Sequence, residues 1–434
     1  MGGGAGVRSR ECVVSYLAMR THKSEEHASP APKPASAHTT DIFTKCHEWP
    51  VYKRAVAAGY YPYFTPITGE QGEEVVIKGR KFVMLGSNNY LGLTNDPRVK
   101  EAAREAILKY GVGCTGSRFL NGTLDLHLKL EDELARFLKK PAALVFSTGY
   151  QTNLGIIASL VGKDDVVISD RLNHASIFDG CRMAYGKTLK YRHDDMADLE
   201  RLLKHAPPKA GRLVVVDGVF SMEGTMPDLK RIIGLCHQNN ARLMVDEAHG
   251  LGVMGEGGRG ASEEQGVLPQ VDVVMGTFSK SFASIGGVAA GDQDVIIYIK
   301  HIARAMIFSA ALPPPALATV LKCLEILQTE PERRKRLHAN AKLLRDGLQS
   351  MGYNTGGSVT PIIPVHVGRD DVCFALWKGL FEAGIFVNPV VAPATPPGHA
   401  LLRVSTMATH TPAILNRALE TFKAVGTHLG VIGG

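Results

Sequence analysis

Short apolar runs alternate with amphipathic stretches along most of the chain. The runs AALVFS (142–147), DVVISD (165–170), RLVVVDG (212–218), ARLMVD (241–246), DVVMG (272–276) and GGVAAG (286–291) carry few polar residues between their apolar ones. Such runs read as strands buried on both faces. Between them, DDMADLERLLKH (194–205) and DLKRIIGLCHQN (228–239) set apolar residues at helical spacing. Repeated βα units predict an α/β fold with a mostly parallel sheet between layers of helices. Upstream, Asp96 and Pro97 open a helical pattern at Val99, Ala102, Ala106 and Ile107, and Gly111 closes it.

Beyond Pro313 the texture changes. Helical patterns over 316–329 and 331–350 precede the strand-like PIIPVHV (361–367). A helix over 370–383, GIFVNPV, LLRVS (401–405) and a last helix over 412–425 complete a smaller α+β domain. The expected organisation is a disordered extension (1–40), an arm or small-domain segment (41–85), a large α/β domain (86–312) and a small C-terminal domain (313–434). The extension opens with MGGGAG and carries SPAPKPASA, which has too little apolar surface to offset its ordering entropy. Arg8 and Arg10 precede CVVSYLAM as in an export signal, but that run is short and holds Ser15 and Tyr16.

Composition narrows the function classes. Of 434 residues, 45% are hydrophobic and 21% charged, the ordinary balance of a globular protein. No run approaches the roughly 18 apolar residues of a membrane-spanning helix. The net charge of +7 is scattered, without the basic stripe and interleaved aromatics of a nucleic-acid binder. It allows weak peripheral membrane association at most, and leaves anionic small molecules such as acyl-CoA as partners. The seven cysteines form no CxxC and are odd in number, which points to a reducing, cytoplasmic setting and to no metal site.

Familiar phosphate loops do not explain the chain. GxGxxG occurs at Gly111–Gly116 and Gly255–Gly260, but neither follows a strand and opens a helix. The informative residues stand instead at strand ends. Asp246 closes ARLMVD, and His249 follows in VDEAHG. Lys280 sits in GTFSKS after DVVMG, and His174 sits in DRLNHAS after DVVISD. Open parallel sheets bind ligands outside the carboxyl ends of their strands, so these residues converge on one crevice. Singly, each is ordinary: a helix cap, a surface histidine, a solvated lysine. Together they suit pyridoxal phosphate. A lysine amine forms an imine with the aldehyde, and a carboxylate keeps the pyridine nitrogen protonated. At ~4 Å and an effective dielectric near 20 that ion pair is worth about 4 kcal/mol, or roughly three pKa units. An imidazole can stack on the ring or bond its phenolic oxygen. STGYQTNLG (147–155) offers a strand, a turn and a helix start for the phosphate.

The collinear segments GSNNYLGL (86–93), GSRFLNGT (116–123), FSTGYQTNLG (146–155), NHASIFDG (173–180), DGVFSMEG (217–224), VDEAHGLGVMGEGGRG (245–260) and GTFSKSFASIGG (276–287) resemble the α-oxoamine synthases. These fold-type-I pyridoxal phosphate enzymes join an amino acid to an acyl-CoA with loss of carbon dioxide. The resemblance runs from about Tyr60 to the C-terminus. GSRFLNGT and APATPPGHALLRVS (392–405) resemble the bacterial serine palmitoyltransferase branch.

That resemblance implies roles. Lys280 is the imine lysine and proton-transfer base, Asp246 pairs with the pyridinium, and His249 bonds the phenolic oxygen. His174 stacks on the ring and helps hold the substrate carboxylate. Gly149, Tyr150, Thr277 and Ser221 contact the cofactor. Arg403 binds the substrate carboxylate, Asn89 lines the amino-acid pocket, and Ser309 reaches the phosphate of the partner subunit in a homodimer with shared sites. The implied reaction condenses L-serine with palmitoyl-CoA to 3-oxosphinganine, the first step of sphingolipid biosynthesis. Sister enzymes use glycine or alanine and shorter acyl groups. Silent partner subunits of this family lack the lysine that Lys280 supplies.

Overall fold

The computed structural model describes residues 41–433, so the expectations for residues 1–40 lie outside the described residues. A hairpin of β1 (Glu74–Ile77) and β2 (Arg80–Met84) precedes the large sheet. That sheet comprises β3 (Ala142–Phe146), β4 (Val166–Asp170), β5 (Lys187–Tyr191), β6 (Arg212–Asp217), β7 (Arg242–Asp246), β8 (Val273–Thr277) and β9 (Gly287–Gly291). Its order is β3-β9-β8-β7-β6-β4-β5. The strands run parallel except β9, which is antiparallel to both neighbours.

Two apolar layers explain the absence of polar alternation in the strands. Ile168, Val214, Val216, Val245 and Val274 face one side, with Leu130, Leu134, Leu199 and Ile232 from helices. Val167, Leu213, Val215, Met244 and Met275 face the other, with Ile156, Ile157, Ile177 and Ile299. Each fully buried aliphatic side chain contributes about 1.5–3 kcal/mol relative to exposure. β5 escaped the sequence pattern because KTLKY is a half-exposed edge strand with two lysines. Edge strands carry such charges to resist pairing with other chains.

After the large sheet come β10 (Ile362–Gly368), β11 (Ile385–Phe386), β12 (Asn388–Val390) and β13 (Ala400–Ser405). A three-stranded antiparallel sheet orders them β10-β13-β12, while β11 adds to β2 in parallel. The helices Asp370–Glu382 and Pro412–His428 bury Phe374, Trp377, Leu415 and Phe422 against Ile363, Val365, Leu402 and Val404. Val83 and Leu85 join this core, so chain preceding the large sheet folds with chain following it.

The boundary expected at 312/313 meets a packing fact. Helix Pro314–Thr329 buries Leu317, Val320, Cys323 and Leu324 in the large core, not the small one. Helix Glu332–Ser350 bridges the two: Leu337 packs with the large core, and Leu344 and Leu348 with the small. Periodicity showed that these helices exist but not which sheet their apolar faces meet. Among the described residues no helix is long and apolar enough to cross a membrane.

Candidate active site

The carboxyl ends of five parallel strands deliver the candidate residues to one edge of the large sheet. After β3, Thr148 caps the helix Gly149–Leu160, its hydroxyl accepting from the Gln151 N–H at 3.0 Å. After β4, His174 caps the helix Ala175–Met183. β6 ends in Asp217, β7 in Asp246, and β8 in Thr277, three residues before Lys280.

These ends surround a cavity of about 360 Å³ lined by Gly149, Tyr150, His174, Ser221, Asp246, His249, Thr277 and Lys280. Asn153, Ser176, Asp217 and Ser279 complete its polar wall. The closeness of Gly149 to β8 explains why a glycine starts this helix. A Cβ there would lie 2.4 Å from Thr277 Oγ1. The helix therefore brings its unpaired N–H groups beside the hydroxyls of Thr277 and Ser279, which are 3.0 Å apart. Free helix N–H groups and hydroxyls together suit a phosphate.

Asp246 is buried, and both its oxygens are engaged. Oδ1 accepts from the Ala248 N–H at 2.9 Å, and Oδ2 from Asn153 Nδ2 at 2.7 Å. Asn153 Nδ2 also donates to Ser176 Oγ at 2.8 Å, and Ser176 Oγ lies 2.7 Å from His174 Nδ1. A continuous polar chain thus joins the carboxylate to the imidazole. Hydrogen bonds of this kind hold a ring in one orientation.

Burial dominates the electrostatics. It brings the Lys280 ammonium down to about 8, against the attraction of Asp246. It pushes His249 well below the ordinary histidine range, helped by the charges of Lys280 and Arg403. His174 is lowered by burial, with Asp246 opposing and Lys280 assisting. Asp217 stands beside Asp246 at the same register on the neighbouring strand. Burial and the Asp246 charge push its carboxyl well above the carboxylate range. Its Oδ2 accepts from the His174 N–H at 3.0 Å. The site therefore holds one lysine with a readily lost proton, neutral imidazoles and unlike carboxyls, a pattern characteristic of functional clefts.

Three candidates stand apart from the cavity wall. Arg403, on β13 and buried, donates through Nε to the Ser221 carbonyl at 2.6 Å and through Nη2 to the Tyr90 hydroxyl at 3.3 Å. Its charge reaches Lys280 and His249. Ser309 accepts from Gln151 Nε2 at 2.7 Å, beside the first turn of the helix Gly149–Leu160 of its own chain. Asn89 is not brought to the cavity. Its Oδ1 accepts from the Leu93 N–H at 3.1 Å and its Nδ2 donates to the Gln71 carbonyl at 3.4 Å, so it ties two loops together.

Sequence reasoning passed over Asp217, Asn153 and Tyr90. Asp217 closes RLVVVD as Asp246 closes ARLMVD, and that parallel was a usable signal. Asn153 lies one helical turn beyond Gly149, on the face it shares with the cavity. Tyr90 is in a loop next to no strand of the large sheet, and only the tertiary fold brings it near. Glycines 255–260 form a turn packed on buried and half-buried charged groups: the Gly257 N–H donates to Glu263 at 3.0 Å, and Gly260 lies against the buried carboxylate of Glu247, which accepts from the Ala261 and Ser262 N–H groups at 2.8 Å. A Cβ at Gly260 would lie 2.2 Å from that carboxylate.

Known proteins resemble this chain in sequence and in fold. The family model described as aminotransferase class I and II matches residues 80–422. A serine palmitoyltransferase of Bacteroides ovatus is 48% identical over 385 residues, 88% of this chain and 98% of the relative. An 8-amino-7-oxononanoate synthase of Geobacter metallireducens is 44% identical over 378 residues, 87% of this chain and 97% of the relative. Among solved structures, serine palmitoyltransferase from S. paucimobilis with a bound PLP–myriocin aldimine superposes with a TM-score of 0.88 at 38% identity, covering 90% of this chain and all of that one. With this family match, and these near-full-length relatives, the chain belongs to the aminotransferase class I and II family and, within it, to the α-oxoamine synthases.

Proposed function

We propose that this protein condenses L-serine with a long-chain acyl-CoA, palmitoyl-CoA, releasing coenzyme A and carbon dioxide and giving 3-oxosphinganine, the entry reaction of sphingolipid synthesis. The observation that carries the reading is the convergence of Lys280, Asp246, His249 and His174 on one cavity in a chain whose relatives include serine palmitoyltransferases.

The residues fit pyridoxal phosphate. Among the described residues, Asn153 Oδ1 and Asp217 Oδ1 are buried at the cavity without a hydrogen-bond partner, as expected where a polar group docks. Gly149, Thr277 and Ser279 would hold the phosphate, Asp246 the ring nitrogen, and His249 and His174 the ring. Tyr150 and Ser221 would contact the cofactor from the cavity wall. Bound there, the cofactor supplies an aldehyde carbon for amines and an electron sink for the substrate's α-carbon.

The chain's own groups do the rest. Lys280, with its ammonium lowered to about 8, gives up and takes back a proton near neutral pH, as a general base must. Asp246, fixed by Asn153 and Ala248, presents a constant acceptor. Arg403 offers a planar donor fork matched to a carboxylate, and His174 adds a second contact for that group. The enclosing walls restrict water around these groups.

A homodimer with shared sites is part of the proposal. Phe119 and Leu120 of GSRFLNGT are 53% and 78% exposed, and Phe308, next to Ser309, is 74% exposed. Apolar residues in such numbers favour burial against a second copy. The cytoplasmic setting rests on the cysteine usage. The second reading, a sister enzyme using alanine or glycine, is favoured by the 44% identity to an 8-amino-7-oxononanoate synthase. Product analysis with each amino acid and palmitoyl-CoA tests the choice. Formation of 3-oxosphinganine from serine, with little product from alanine or glycine, is expected. Preferential use of either of those would transfer the protein to the sister branch.

A further inference from the structure

Three side chains far apart in sequence meet in a buried chain of hydrogen bonds. Tyr90 lies in the loop after β2 and is 1% exposed. Its hydroxyl is 2.7 Å from His249 Nδ1 and 3.3 Å from Arg403 Nη2. Asn88 Oδ1 lies 3.3 Å away as an alternative acceptor.

Counting hydrogens sets the direction of each bond. A guanidinium only donates. The Tyr90 oxygen therefore accepts from Arg403 and keeps one hydrogen to give. His249 Nδ1 is the nearer acceptor, at a distance typical of a good hydrogen bond. A ring nitrogen that accepts carries no hydrogen, so the proton of a neutral His249 is on Nε2. Burial holds this imidazole neutral. His249 thus retains an N–H donor while lining the cavity.

We propose that Tyr90 is a positioning residue that fixes His249 as the Nε2–H tautomer, with Arg403 orienting the tyrosine hydroxyl. The inference rests on the reading above, in which His249 meets the cofactor. A donor at Nε2 is what a phenolate-like oxygen requires, and the opposite tautomer would present a lone pair to it. Tyr90 does not line the cavity and acts through His249, which does.

Nitrogen-15 NMR of histidine-labelled protein, with and without pyridoxal phosphate, tests this directly. The His249 signals are identified by their loss in His249→Gln. The wild type should show Nδ1 without hydrogen and Nε2 with it. In Tyr90→Phe, which keeps the ring and its packing, His249 should show mixed tautomers. The pH midpoint of the bound cofactor's visible band should shift, and kcat should fall about three- to tenfold, the range of one hydrogen bond. A wild-type His249 protonated on Nδ1, or an unchanged His249 signal in Tyr90→Phe, overturns the proposal. If Tyr90→Phe does not fold, the wild-type spectrum alone decides. If the protein fails to bind pyridoxal phosphate, the functional reading falls, while the cofactor-free spectrum still decides the tautomer.

Discussion

Lys280 carries a measurable consequence of its burial. Desolvation lowers its ammonium from 10.5 to about 8, with Arg403 adding repulsion and Asp246 and Asp217 opposing. That displacement corresponds to about 3 kcal/mol. At pH 7 about a tenth of the amine is neutral, against roughly one part in 3,000 for an exposed lysine. The neutral amine is the nucleophile. Capture of pyridoxal phosphate by the cofactor-free protein should therefore accelerate about tenfold per pH unit below 8 and level off above it. Stopped-flow absorbance at the cofactor's visible band measures this, with Lys280→Ala as the blank. A rate that still climbs tenfold per unit through pH 9 and 10 would refute the burial argument.

The same shift has a stability signature. A lysine whose folded pKa is depressed costs stability wherever both states are protonated, here below about 8. Between about 8 and 10.5 the unfolded chain binds more protons, so stability rises with pH and the cost disappears. Cofactor-free Lys280→Met should thus exceed the wild type by up to ~3 kcal/mol at pH 7. The gain should vanish toward pH 10.5. Denaturant unfolding at three pH values reads it, and a gain independent of pH would contradict it.

Further variants probe other parts of the site. Arg403→Ala should raise the KM for serine at least about tenfold, the worth of one charged hydrogen bond; equal effects on serine and acyl-CoA would argue against a carboxylate role. Glu131 forms a buried bidentate pair with Arg118 of GSRFLNGT, at 2.8 and 3.1 Å. Glu131→Ala leaves that charge unpaired and should cost about 3–5 kcal/mol in urea unfolding; a loss below 1 kcal/mol would mean that water replaces the carboxylate. Gly149→Ala drives a methyl into Thr277 and should weaken cofactor affinity at least about tenfold, measured by fluorescence titration. Asp217→Asn preserves an acceptor for the His174 N–H and mimics a protonated carboxyl. It should leave cofactor affinity at pH 7 within about twofold, and a large loss would show that Asp217 is ionised.

Much of this was legible in the chain because the signals were local. An aspartate that closes an apolar run stands at a strand's carboxyl end, and in a parallel sheet all such ends lie on one edge. Asp246, His174 and Lys280 therefore converge without any knowledge of strand order. β9 was recognised as a strand, but GVAAG says nothing about direction, and its antiparallel pairing depends on partners distant in sequence. The fate of Asn89 was hidden for a related reason. An asparagine in a loop can cap backbone as readily as meet a ligand, and only the fold shows that its amide is spent on Leu93 and Gln71. Tyr90 illustrates the converse. Its sequence neighbours suggest a turn, yet its hydroxyl joins Arg403 of the small sheet to His249 in the turn after β7.

The central claim is that one cavity holds pyridoxal phosphate on Lys280 and selects serine. Visible absorbance of the purified, cofactor-loaded protein during titration with L-serine, glycine and L-alanine tests it most directly. The account predicts a saturable spectral change with serine, little with the other two, and, in Lys280→Ala, loss of the lysine-linked cofactor band and of turnover. A preference for glycine or alanine would contradict the substrate assignment. The absence of any cofactor band after addition of pyridoxal phosphate would contradict the site itself.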